Sequence, residues 1–464
     1  MGPPLPEGRG RTVGPAVLVL LLFWPLAVFG GRGAATAISV SVTCILFALA
    51  LKSPFAQHGA LRRLDLALLA TALLTVVQAV PAPRAVVDVV SPQDAAVRRV
   101  LSLDPSAAPG WLPLSIDGQA TVWASLVAIG AIALFFAART IFTSGGVRQT
   151  VRGISAIGLV VSGVAIAQAA TAGRMIYWLF RTEYEGPLPF GPFVNRNHFA
   201  TWTIMAAPLC LGYIVARASK TRTSHAVSAN PRTRLARLAD GRTLWLTAAG
   251  ATMIGALLLS LSRSGIVSLA AATIASALLL RPRTSSGRGW WLAAALIVTV
   301  GLGVSRADLP ALADRFTRSG SRVENRVRIW RDTLPVVRDF WLTGTGVGTY
   351  RTAMLYYQRS ERDVQFNQAH NHYLQATAEG GVVLLALIAC ASVALAHVVR
   401  QRLATDASGY YWIRAGAATG LLAVALQSFW ETGLVMPANA GLAAVLAAIA
   451  IHERPPAEKS IFMD

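Results

Sequence analysis

Apolar residues in this chain of 464 come in long runs broken by short polar stretches. A helix needs about 17–25 such residues to cross a hydrocarbon core. Twelve runs approach or meet that length: 13–30, 34–51, 64–81, 119–138, 153–172, 198–216, 243–262, 264–280, 290–304, 378–399, 415–432 and 436–451. Several are short or rich in Ala and Gly, so eleven to thirteen spans fit the same pattern. No period-2 alternation runs through them, which excludes a closed barrel, the other spanning solution. The pattern predicts an all-α polytopic membrane protein of about twelve transmembrane helices.

Three polar segments divide the runs. Residues 1–304 hold nine spans, with a proline-rich outer loop at 82–118 and a basic inner loop at 217–242. Residues 305–377 form the large extracytoplasmic loop, and 378–464 hold three spans and a cytoplasmic tail. Inside the large loop Val327, Trp330, Leu334, Val337 and Trp341 recur at helical spacing. Arg322, Arg326, Arg328, Arg331 and Arg338 surround that stripe, and the run from Gly344 to Tyr350 breaks it. No lysine follows those glycines as in a phosphate-binding P-loop, so an ATP-driven motor is disfavoured.

Composition agrees: 54% of residues are hydrophobic and 14% charged, with a mean hydropathy of +0.52. A cytoplasmic N-terminus and alternating spans place 23 of the 42 Lys and Arg inside. Of the 19 outside, 11 lie in the large loop, and long loops escape the positive-inside rule. The net charge of +20 therefore points to anionic lipid and needs no nucleic acid. Cys44, Cys210 and Cys390 all fall in spans, where a thiol acts as a small hydrophobe. The first run follows Arg9 and Arg11 like a signal peptide, but with eleven more spans behind it an uncleaved first helix is the reading adopted.

Polar clusters then converge on one membrane face. In Asn195-Arg196-Asn197-His198 either asparagine can cap the next helix, whose free N–H groups and dipole suit an anion. Arg196 adds a fork that fits phosphate oxygens; the plainer alternative is a capped helix with a snorkelling arginine. Arg263 interrupts an apolar stretch between Ser262 and Ser264, where an ionisable group is costly and usually functional. Its plainer role would be to bind lipid headgroups. A helix starting near Asn371 sets His372, Gln375 and Glu379 on one face. His370 lies just before it, where the positive helix end disfavours imidazolium and suits a general base. His370 and His372 could alternatively bind a metal, or His370 and Asn371 merely cap the helix.

Taken together, the segments Phe193–Ala200, Leu261–Gly265, Gly344–Tyr350 and Ala369–Gln375, with Trp111–Ser115 as a first outer loop, resemble the O-antigen ligase and polymerase superfamily. The resemblance covers about residues 110–385 and rests on the order and spacing of loose motifs. It implies a GT-C-like, twelve-span glycosyltransferase of the bacterial inner membrane, termini in the cytoplasm and active site on the outer side. The donor would be a glycan on undecaprenyl diphosphate, and the acceptor a glycan, lipid or protein. Partners would be those substrates, membrane lipids and other polysaccharide-assembly proteins. No cofactor is implied, and with no Asp-x-Asp motif in the chain, no metal. His370, Arg196 and Arg263 would be catalytic. Asn195, Asn197, His198, Arg322, Arg326, Arg328, Asn371, His372, Tyr373, Gln375 and Glu379 would bind substrate, with Glu379 read as an orienting partner. In ligases the signature runs from His and Asn through Gly to a final Gly, Thr or Tyr. His370, Asn371 and Gly381 fit it and Leu384 does not, which tilts the reading from ligation of finished glycan toward polymerisation of O-antigen or exopolysaccharide repeats. A lipid-linked glycan flippase is the reading from another class, and it would favour polar groups at mid-membrane in repeated halves.

Overall fold

In the computed structural model, which describes residues 10–101, 110–181, 189–223, 240–279, 319–360 and 363–453, the apolar runs are helices. In chain order they are α1 (Gly10–Ala27), α2 (Ala34–Ala50), α3 (Gly59–Ala79), the short α4 (Arg84–Val90) and α5 (Asp94–Leu101), α6 (Gly118–Thr143), α7 (Val147–Thr171) and α8 (Arg196–Thr223). After them come α9 (Gly241–Leu259), α10 (Arg263–Leu279), α11 (Ser319–Asp339), α12 (Tyr350–Tyr357), α13 (His372–Thr405), α14 (Tyr410–Gln427) and α15 (Pro437–Ile451).

Every predicted span except 290–304 falls on one of these helices; that run, and most of the basic loop 217–242, lie outside the described residues. Among the described residues five helices are long and apolar enough to cross a membrane: α6, α7, α8 as far as Ala218, α9 and α13. The stretch Val13–Ala27 of α1, with α2, α10 and α15, is apolar but shorter. A helical integral membrane protein is what the chain forms; a count of twelve goes beyond what helix length and hydropathy show.

The loop 82–118, expected to be irregular, carries structure. Strand β1 (Pro81–Pro83) pairs antiparallel with β2 (Trp111–Pro113), and α4 and α5 lie between them. Prolines lack an N–H and sit only at such sheet edges. Arg98 locks the loop, bonding Asp94 at 2.6 Å and the carbonyls of Pro113 and Ser115 at 2.8 and 2.7 Å.

Helix α8 is the central one, and its contact with α14 positions the site. A Cβ on Gly416 would lie 2.4 Å from the Pro208 carbonyl oxygen, and one on Gly420 2.7 Å from that of Met205. On the other side, a Cβ on Gly212 would lie 2.3 Å from the Trp412 oxygen. Glycines here let two backbones touch, as in small-xxx-small membrane packing. The pairing is antiparallel, so the start of α8 meets the end of α14. Helix α13 bends at Gly381 (φ 63°, ψ −168°), where a side chain would strike the Leu342 carbonyl at 2.2 Å. The bend lets the loop after α11 dock against the first turns of α13.

Candidate active site

The entrance to α8 is shaped by a tight turn. Phe190 and Phe193 exchange backbone hydrogen bonds of 2.9 and 3.3 Å around Gly191 at φ 57°. The Phe190 ring stacks edge-on against Phe199 at 4.9 Å. Asn195 then caps the helix: its Oδ1 accepts the Asn197 N–H at 2.9 Å and its carbonyl the His198 N–H at 3.0 Å. A polar cap and an aromatic clamp thus fix Arg196, Asn197 and His198 in the first turn.

Opposite that turn, α14 ends at Gln427 and a loop carries Glu431, which is 1% exposed. Its Oε2 accepts from Asn197 Nδ2 at 2.6 Å and lies 3.7 Å from the Arg326 guanidinium. Its Oε1 lies 3.2 Å from His370 Nδ1. Burial alone would raise this carboxyl, yet His370, His198 and Arg326 hold it down at about 2. An ionised carboxylate can only accept. In a neutral His370, therefore, Nδ1 carries the proton and Nε2 keeps its lone pair, which is the orienting role of the acid in a catalytic triad.

His370 sits at φ 50°, an unfavourable conformation for a side-chain-bearing residue that persists only where its surroundings enforce it. They do so on both sides. The Trp330 indole N–H donates to the Ala369 carbonyl at 2.9 Å, and the Ala369 N–H donates to Gln375 Oε1 at 3.1 Å. Asn371 caps α13 through Leu374 N–H at 3.0 Å, and the His372 N–H donates to the Ser428 carbonyl at 2.7 Å. The His370 side chain remains 33% exposed, so a reactant can reach it. The expectation from sequence considered only the helix end; the nearest charge is instead the Glu431 carboxylate.

Helix register brings Arg263 to the same level. Gly265 abuts the first turns of α8, a Cβ there lying 2.8 Å from Ala200 Cβ. Further along, Thr419 on α14 donates to Ser276 on α10 at 2.8 Å. Arg263 opens α10 two residues before Gly265, so it lies beside the first turns of α8 that carry Asn197. Of the arginines on α11, Arg326 faces this site, whereas Arg328 pairs with Glu324 at 2.8 Å on an exposed face. The Arg322 side chain lies outside the described residues.

Other residues expected at the site serve its scaffold. Glu379 accepts the N–H groups of Gly348 and Tyr350 at 3.0 and 3.1 Å and the Gln375 amide at 3.1 Å. The run Gly344–Tyr350 wraps this carboxylate: Gly344, Gly346 and Gly348 all have positive φ. Gln78 of α3 secures the same loop by donating to the carbonyls of Thr343 and Glu379 and accepting from Val347 N–H. The Tyr373 hydroxyl donates to the Ala425 carbonyl at 2.9 Å, tying α13 to α14. His372 Nδ1 is buried without a hydrogen-bond partner. Among the described residues, no three of His, Cys, Asp and Glu gather as a metal site would.

Glu431 is the residue that sequence reasoning missed. It lies 61 positions from His370 and 234 from Asn197, at the tail of an apolar run. Its one signal was an acid at a membrane edge, where ionisable groups mark function. Among curated proteins none matches the chain. Residues 248–389, which contain Arg263, Arg326 and His370 but neither Asn197 nor Glu431, match the O-antigen ligase family. The match spans less than a third of the chain; over that stretch the chain is similar to the O-antigen ligase family, which supports a membrane protein that handles glycans.

Proposed function

We propose that the chain is a glycosyltransferase that moves a glycan from undecaprenyl diphosphate onto an acceptor hydroxyl at the outer face of the bacterial inner membrane. The observation that carries this reading is the Glu431 carboxylate, which gathers Asn197, His370 and Arg326 from three separate elements. His370 Nε2 takes the acceptor proton while the acceptor oxygen forms a bond to the anomeric carbon. The bond from that carbon to the diphosphate oxygen breaks, and its electron pair leaves with the lipid diphosphate. Arg196 and Arg263 stabilise that growing negative charge, the work preorganised cations do best in a site shielded from water. One in-line displacement inverts the anomeric centre. The energy comes from the donor, so neither nucleotide nor metal enters the scheme.

For the acceptor we favour a second lipid-linked repeat, which makes the enzyme a polymerase. Leu384 stands where ligases carry Gly, Thr or Tyr, and it is buried against the scaffold loop beside Val347. The test is deletion of the gene followed by analysis of surface glycan. Loss of long polymer with single repeats retained supports polymerisation. Lipid-linked polymer accumulating beside an unmodified acceptor identifies a ligase. Unchanged products with a redistributed donor would overturn the enzyme reading in favour of transport. Purified protein should also turn over lipid-linked donor in excess chelator, and activity restored only by added metal would refute the metal-free scheme.

A further inference from the structure

Two tryptophans flank the His370–Glu431 pair, and neither has been given a role in the transfer itself. Trp330 lies one helical turn after Arg326, so the two share a face of α11 and both point toward the Glu431 loop. Its indole N–H is fixed on the Ala369 carbonyl, one residue before His370. Trp430 immediately precedes Glu431, and the two ring centroids are 6.0 Å apart with planes inclined at 38°. Trp430 stays 44% exposed although Glu431 beside it is buried. Its neighbour Phe429 is held by Tyr373, ring to ring at 4.7 Å, which limits how the loop can move. One indole is thus pinned behind the imidazole and the other stands open on the loop that carries the carboxylate.

A pyranose ring has an apolar face of C–H bonds with partial positive charge. The face of an indole is negative and rigid, so it binds such a surface over a large area at little cost in side-chain freedom. A hydroxyl that gives its proton to His370 must come within about 3 Å of the ring nitrogen. The sugar bearing that hydroxyl therefore lies beside the His370–Glu431 pair that the two indoles adjoin.

We propose that Trp430, backed by Trp330, is the platform on which the acceptor sugar stacks. This rests on the transfer reading above, in which His370 is the base, and it assigns the residues that position the acceptor. The platform stacks the sugar, sets its hydroxyl toward the imidazole and leaves the arginines to the diphosphate. These are positioning residues: they hold the acceptor and move no proton.

The test uses the full chain in nanodiscs with two readouts. The first is steady-state transfer from lipid-linked donor to an acceptor oligosaccharide released from the source cell's own surface glycan. Trp430→Ala should raise the acceptor KM about tenfold, the scale of one good aromatic contact, with kcat nearly unchanged. Trp430→Phe should restore most of that loss. The second is saturation-transfer NMR with the same oligosaccharide and no donor: ring C–H signals should be present with wild type and Trp430→Phe, and lost with Trp430→Ala. An unchanged acceptor KM in both Trp430→Ala and Trp330→Ala would overturn the proposal. So would a fall in kcat and melting temperature without a change in KM, which marks packing alone, or better transfer to a serine-containing peptide than to the saccharide. Saccharide binding that needs Trp430 in a protein that never transfers glycan would sink the functional reading and leave the platform standing.

Discussion

Two buried glutamates organise neighbouring parts of this molecule in opposite ways. Glu379 is satisfied by the backbone: two N–H groups of the glycine loop and one amide fill its oxygens. Glu431 is met mainly by side chains, His370, Asn197 and Arg326, with one long main-chain contact from Thr432 N–H at 3.4 Å. Both carboxylates sit out of water, where an unpaired charge is prohibitive. The main-chain donors that close on Glu379 fix the shape of the glycine loop. One tied to an imidazole sets that ring's tautomer and direction and so governs its chemistry. Burial and hydrogen-bond number are alike; the identity of the partners separates scaffold from site.

The sharpest way to break that contrast is at the dyad. His370→Ala should lower turnover by ~10²–10⁴, the usual worth of a general base, and leave donor binding intact. Glu431→Gln should approach the same loss, because an amide no longer enforces one tautomer. The double variant should be no worse than the poorer single one, since groups acting as a unit are not additive. Additive losses in single-turnover assays would show that Glu431 does not act through His370.

Arg196→Lys and Arg263→Lys come next, each expected to cost on the order of 10²-fold in turnover, typical of a lost oxyanion donor, in protein that still inserts. Lysine keeps the charge and loses the two-pronged fit to phosphate, so near-normal rates would remove the leaving-group role. Glu379→Gln should act on stability. It leaves a backbone donor of the glycine loop unsatisfied, at about 1–3 kcal/mol, visible as a lower melting temperature in protein that retains turnover. Lost turnover with unchanged melting would erase the distinction between the two glutamates.

Acid provides a gentler probe. The Glu431 carboxyl is held down at about 2 against an ordinary 4.5. A depressed carboxyl stabilises the fold fully above its ordinary value and loses that contribution as pH falls toward the folded one. The melting difference between wild type and Glu431→Gln should therefore shrink as pH falls below about 4.5. The smallest effect is expected at Arg328, an exposed residue paired with Glu324. Arg328→Ala should change stability by no more than ~0.5 kcal/mol and leave turnover unaltered, while Arg326→Ala lowers it.

Periodicity and hydropathy made the helices legible, and the Asn371 cap with the Gln375–Glu379 pair could be read from spacing on one helix. Spacing could not say which α11 arginine faces inward, because Arg326 and Arg328 differ only in how the helix is rolled against the Glu431 loop. Nor could it separate the roles of His370 and Glu379, only nine positions apart. Glu379 belongs to a loop some thirty residues upstream and His370 to an acid sixty residues downstream. The loop 82–118 looked formless because proline obscures strand pattern, yet Pro83 and Pro113 lie on its paired strands.

The register of α8 against α14 has a consequence for how the protein is made. Asn197 is synthesised early, yet the acid it binds follows 234 residues later. Until the loop bearing Glu431 emerges, Asn197 and His370 lack the carboxylate that joins them. On the transfer reading, a chain cut just before that loop would keep Arg196, Arg263 and His370 and lose the acid that orients the imidazole.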